Sequence, residues 1–165
     1  MRYLLKQKII SLADKFTIAD ENGNGVYEVH AKMFSFLPKF TFYNSQQEEV
    51  AVLKKKLYSI VPSFELTQAG EVVARIKKKF ISFRPTCILD IEGQSEQYLI
   101  TGKLIEHEYL VTRAGSAVAT VSKKWFRASD TYAVDIKAEI DPVIILASAL
   151  TVDAIFHSKK SKHDR

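Results

Sequence analysis

Cysteine is almost missing from this sequence. Cys87 is the one thiol among 165 residues, so an internal disulfide cannot form and a disulfide-stapled scaffold is excluded. Six glycines and four prolines are too few for a collagen-like or low-complexity chain. No apolar run is long enough for a membrane-spanning helix: Val143 to Phe156 is the longest, with 14 residues and Asp153 inside it, where about 20 are needed. Lys6 and Lys8 interrupt the N-terminal stretch that a secretory signal would keep apolar, so no signal peptide is expected. Together with the single cysteine this favours a cytoplasmic protein, at most peripheral at a membrane. G-x-S-x-G, a glycine-rich phosphate loop, H-E-x-x-H and a cysteine pair are all missing. The histidines, at 30, 107, 157 and 163, follow no metal-ligand spacing. No catalytic residue, metal or cofactor is therefore assigned, and a non-enzyme is expected.

What is present argues for a packed β protein. Ten Phe, seven Tyr and one Trp in a chain that is 47% hydrophobic exclude disorder for most of it. The length suits one domain, placed at residues 1–157. Ser158 to Arg165 reads as a disordered basic tail. Lys and Arg outnumber Asp and Glu by 24 to 19, which favours anionic partners.

The strongest signal is an internal repeat. Lys8-Ile9-Ile10-Ser11, Lys32-Met33-Phe34-Ser35, Lys56-Leu57-Tyr58-Ser59 and Lys79-Phe80-Ile81-Ser82 share a lysine, two large apolar residues and a serine. Lys103-Leu104-Ile105-Glu106 and Lys124-Trp125-Phe126-Arg127 keep the pattern with a changed fourth residue. Successive anchors are 24, 24, 23, 24 and 21 residues apart. Before each anchor, apolar residues alternate with polar ones, as in Ala51, Leu53, Leu57 and in Ala74, Ile76, Phe80. Period two with one apolar face is a half-buried strand. A shorter strand follows each anchor: Phe16 to Asp20, Phe40 to Asn44, Phe64 to Gln68, Cys87 to Ile91, Glu108 to Thr112 and Tyr132 to Ile136. Asn22-Gly23, Ala69-Gly70 and Ala114-Gly115 supply hairpin turns. Pro38, Pro62 and Pro85, each six residues past an anchor, mark the opposite loops.

Six such units predict a mainly β fold, a closed antiparallel barrel of about twelve strands, since closure removes exposed edges. Strands about 4.8 Å apart and tilted about 40° give a radius near 12 Å, too wide for strand side chains alone to fill. A helix fits that space. Asp141 can cap it, Pro142 suits its first turn, and the apolar segment through Phe156 suits burial on every side. A hydrophobic helix over about 142–157, running through the barrel, is therefore expected, with a thirteenth strand over Val143–Ile145 as the competing assignment.

Lys6-Gln7-Lys8-Ile9-Ile10-Ser11-Leu12, Phe16-Thr17-Ile18-Ala19-Asp20-Glu21-Asn22-Gly23 and the block from Ser122 to Asp135 resemble the LURP-one-related (YxjI-like) family of the tubby C-terminal-like superfamily. The resemblance implies a twelve-stranded barrel threaded by a hydrophobic helix. It also brings phospholipid or phosphoinositide-like headgroups into view, because tubby domains proper bind phosphoinositides. It assigns no binding residue.

The lysines are the remaining lead. The anchors fall toward one end of every long strand, so they should gather at one barrel end as a basic collar. Lys54, Lys56, Lys77, Lys79, Lys124 and Arg127 are the candidate contacts. Anionic phospholipid is the expected partner of a non-catalytic binding module, and nucleic acid the alternative. An enzyme of unknown reaction comes third. Outward lysines that only keep a β protein soluble would look the same. Phe34, Phe80 and Trp125 are assigned to the core or to bulges, which argues against a base-stacking surface. His30 and His107 are placed on the surface or rim, Asp153 at the barrel mouth, and Cys87 in the core.

Overall fold

The computed structural model describes residues 1–6, 15–33, 35–123, 131–137 and 139–157. Twelve strands form a closed antiparallel barrel. They are β1 Arg2–Lys6, β2 Lys15–Asp20, β3 Gly25–Lys32, β4 Lys39–Tyr43, β5 Glu49–Lys55 and β6 Ser63–Gln68. β7 Glu71–Lys78, β8 Thr86–Ile91, β9 Tyr98–Lys103, β10 Glu108–Arg113, β11 Ser116–Ser122 and β12 Thr131–Ile136 complete it. Every strand pairs with its neighbours in the chain, and β12 returns to β1 with Arg2 opposite Asp135 and Lys6 opposite Thr131. The Arg2 guanidinium bridges that seam, donating to both Asp135 oxygens at 2.7 and 3.0 Å. Each inferred short strand is present to within a residue or two.

The sixfold pattern carries a matching distortion. β2, β4, β6 and β10 each shift register near their turn ends, at Ile18/Ala19, Phe42/Tyr43, Leu66/Thr67 and Val111/Thr112. Such bulges bend and twist the strand locally, which helps a sheet of this width to curl shut.

The inward faces enclose one helix, α1, at Pro142–His157. Asp141 Oδ1 accepts the Val143 N–H at 2.9 Å, and its other oxygen accepts from Gln68 at 2.8 Å. Residues 143 to 154 are buried without a break, so every phase of the helix faces protein. The barrel contributes Phe40, Phe42, Leu53, Phe64, Leu66, Ile76, Leu89 and Ile100 to the same core. Ser148 and Thr151 donate back to the carbonyls of Ile144 and Ala147 at 2.8 and 2.9 Å, which lets two hydroxyls sit in that apolar lumen at little cost.

Two hairpins are closed by two-residue turns in which both central residues have positive φ: Ala69 (48°) with Gly70 (82°), and Ala114 (47°) with Gly115 (78°). Such turns match strand twist, but alanine adopts that conformation reluctantly and asparagine readily. Ala69→Asn with Ala114→Asn should together raise stability by about 1 kcal/mol, read as a Tm increase of about 2–4 °C.

Candidate functional site

The two barrel ends differ in chemistry. At one end the hairpins at 21–24, 44–48, 69–70, 92–97 and 114–115 expose polar and acidic residues, among them Glu21, Glu48, Glu92 and Glu96. At the other end the loops at 35–38, 56–62, 79–85 and 104–107 carry large apolar side chains into solvent. Tyr58 is 89% exposed, Ile60 93%, Phe80 73% and Ile81 78%; Phe36, Phe83, Leu57 and Ile105 are also exposed. Elsewhere among the described residues, large exposed apolar side chains are limited to Met1, Leu99 and Leu110.

This corrects the core assignment of Phe80. The long strands stop at Lys55 and Lys78, so the alternation that buries Leu53 and Ile76 ends before Leu57 and Phe80. Phe34 and Trp125 lie outside the described residues. The repeat is instead a loop-building device. The Lys56 and Lys79 N–H groups donate across the loop base to Ser63 and Thr86 carbonyls, each at 2.8 Å. Lys55 and Lys78 N–H groups donate to the carbonyls of Pro38 and Pro62, at 3.0 Å each. Ser35 and Ser82 hydroxyls donate to the carbonyls of Leu37 and Arg84, both at 2.6 Å. With the backbone satisfied this way, the apolar pair after each of these lysines projects outward.

The collar lysines ring these loops unequally. Lys54 and Lys79 are exposed and make no ion pair among the described residues. Lys56 lies 3.4 Å from Glu65, and Lys77 3.9 Å from Asp90, so part of their charge is answered locally. Lys124 and Arg127 lie outside the described residues. Lys32 and Lys39 were missed as candidates: Lys32 is opposite Lys39, and Lys39 is opposite Lys54. Three lysines thus stand side by side across β3, β4 and β5, although like charges directly opposite are destabilising. A groove of about 540 Å³ lies beside them, lined by Leu37, Lys54, Lys55, Lys56, Tyr58 and Glu65 among others. A second groove, about 690 Å³, runs under residues 82–86 along β9 to β11 and holds far less positive charge.

The like-charge row supports a test with opposite signs. Lys39→Glu should raise stability by about 0.5–1 kcal/mol by turning two repulsive pairs into attractive ones. The same change should weaken any anion held by the row. Thermal melts and binding measured on one preparation check both directions.

Two polar residues are more deeply enclosed than the sequence suggested. His107 is fully buried and not on the rim, and Asp153, near the end of the helix, is buried beneath the turn that carries His107 and not open to solvent. The reason is mutual satisfaction: His107 Nε2 lies 2.7 Å from Asp153 Oδ1, and the Tyr132 hydroxyl donates to Oδ2 at 2.6 Å. A buried carboxylate is tolerable when it is paired and hydrogen-bonded. Glu108, adjacent to His107, points outward and accepts from Ser122 Oγ and Lys123 N at 2.9 and 2.8 Å. His30 is half-buried beside Glu28 at 2.6 Å. Cys87 is in the core, where burial pushes its thiol up to about 12, so it is not a nucleophile at neutral pH. No helix among the described residues is long and apolar enough to cross a membrane.

Comparison with known proteins adds two findings. A family model described as LURP-one-related matches residues 1–153. The fold is similar to the X-ray structure of an Arabidopsis thaliana protein, with a TM-score of 0.67 and 15% identity over 92% of this chain and 90% of the other. No curated protein matches.

Proposed function

The chain belongs to the LURP-one-related family, and from that premise we propose that it is a non-catalytic binding module whose basic, apolar-tipped end docks on anionic phospholipid bilayers. One observation carries this: the exposed apolar loop tips and the lysines that make no ion pair among the described residues occupy the same end, while the opposite end is polar and acidic. Stable peripheral attachment takes two signals, an apolar insertion and a basic patch. Tyr58, Ile60, Phe80, Ile81 and Phe83 supply the first, and Lys32, Lys39, Lys54 and Lys79 the second. The lysine-lined groove beside Tyr58 suits a single headgroup phosphate. Lys124 and Arg127 join the proposed contacts by their place in the repeat.

Exposed Phe36, Tyr58, Phe80 and Phe83 also keep nucleic acid in view, because aromatics can stack on bases. Lipid is favoured since Leu57, Ile60, Ile81 and Ile105 are interleaved with them, and aliphatic side chains insert into acyl chains but do not stack.

Co-sedimentation with neutral and acidic liposomes, beside a gel-shift assay with single-stranded DNA and RNA, separates the two. Each Lys near an anionic surface contributes about 1 kcal/mol. Replacing Lys54, Lys56, Lys77 and Lys79 by Gln should weaken binding to acidic liposomes by about 2–4 kcal/mol and leave stability nearly unchanged. Equal sedimentation with both lipids, or none with either, overturns the proposal, and a gel shift without sedimentation replaces it with the nucleic-acid alternative.

A further inference from the structure

Inside the docking end, the last turn of α1 carries Asp153 and His157. Four residues apart, they share one helix face. The fold brings His107 to that face from the 3-10 turn between β9 and β10, held by a left-handed backbone (φ 54°). One ligating atom from each of His107, Asp153 and His157 lies within 4.8 Å of the others. The two imidazoles stack with centroids 4.7 Å apart. His107 and Asp153 are fully enclosed, and His157 is half-buried.

Two buried polar atoms beside the cluster, His107 Nδ1 and the Tyr109 hydroxyl, also lack a hydrogen-bond partner among the described residues. Buried polar atoms are nearly always satisfied, so each such exception calls for an explanation. Tyr109 is 4% exposed and near enough to Asp153 to feel its charge.

We propose that His107, Asp153 and His157 bind one divalent transition-metal ion, Zn²⁺ by preference. Two imidazoles and one carboxylate are the donor mix that suits Zn²⁺, whereas Mg²⁺ and Ca²⁺ require many oxygens. Around tetrahedral Zn²⁺, with bonds of about 2.0–2.1 Å, neighbouring donors lie about 3.3 Å apart. Binding therefore parts His107 Nε2 from Asp153 Oδ1, which are 2.7 Å apart without the ion, and the stacked rings turn out of parallel, His157 moving most because it ends the helix. Three protein ligands leave a fourth position for water. Tyr132, bonded to the other Asp153 oxygen, orients the carboxylate as an outer partner should. The ion would tie the end of the central helix to the barrel wall beneath the docking loops. This inference does not depend on lipid binding.

The test uses the full chain without a histidine tag, stripped with EDTA and titrated with ZnCl₂ by calorimetry and thermal melting. One Zn²⁺ per chain is expected. At about 100-fold excess over Kd, Tm should rise by about 5–10 °C, with no rise in equal MgCl₂. Asp153→Asn keeps an acceptor for Tyr132, and His157→Gln changes a half-buried helix end, so both should fold. Each should lose more affinity than the roughly 10–100-fold that an outer partner costs. No uptake by the parent overturns the proposal. So does uptake that persists in His157→Gln, which decides alone if Asp153→Asn does not fold.

Discussion

Ala149→Asp is expected to leave no folded protein. Ala149 sits mid-helix at 1% exposure, with buried residues before and after it through every phase of α1. A carboxylate there would lack the His107 and Tyr132 partners that make Asp153 tolerable. It would also stand one helical turn from Asp153, adding like-charge repulsion. The penalty for an unpaired buried charge is several kcal/mol, against a total stability of about 5–15 kcal/mol for a domain. Ala149→Ser is the control. Its hydroxyl can donate back to the Ile145 carbonyl, as Ser148 does to Ile144, so it should cost about 1 kcal/mol. Soluble yield and circular dichroism distinguish the two. An Ala149→Asp variant with the parent Tm would mean that α1 is not in the lumen.

Gly102→Ala should be the most damaging methyl in the barrel wall. Gly102 has φ of 131°, a conformation open to glycine and strained for other residues. A Cβ there would lie 2.8 Å from the Glu108 carbonyl oxygen and 2.9 Å from the Tyr109 Cα. Both are backbone atoms of β10, so relief requires parting β9 from β10 where Gly102 faces Tyr109. A loss of about 3 kcal/mol is expected, or a fall in Tm of about 6–12 °C. Gly115→Ala tests the conformational part alone, because a Cβ there meets nothing within 4 Å although φ is 78°. It should cost about 1 kcal/mol.

The architecture was readable because each repeat states it again: alternation marks the strands, glycines one set of turns and prolines the other. Six weak signals in register make a strong one. The repeat lysines fall within a residue of the strand end at Lys32, Lys56, Lys79 and Lys103, which is why they collect at one end. Leu57 and Phe80 were misread as inward-facing because composition alone does not say where alternation stops. Leu104 stayed buried while Leu57 and Phe80 turned outward, a difference decided by which loop folds back over the barrel mouth. Lys32 and Lys39 were overlooked because cross-strand neighbours are unrelated in sequence until register is known. His107 and Asp153, 46 positions apart, meet only when the helix is threaded through the closed barrel, and no spacing rule could pair them.

The central claim is that the apolar-tipped basic end enters an anionic bilayer. It is tested most directly by an environment-sensitive fluorophore placed at Ile81→Cys and, in a separate variant, at Ser45→Cys on the opposite end. Cys87 is buried and its thiol is pushed up to about 12, so it should not compete for the label in the folded protein. With vesicles containing phosphatidylserine, the probe at 81 should shift to the blue and brighten as it leaves water, while the probe at 45 should not change. Neutral vesicles should produce neither effect. A response at 45 that equals that at 81, or no response at 81 to any vesicle, would contradict the account.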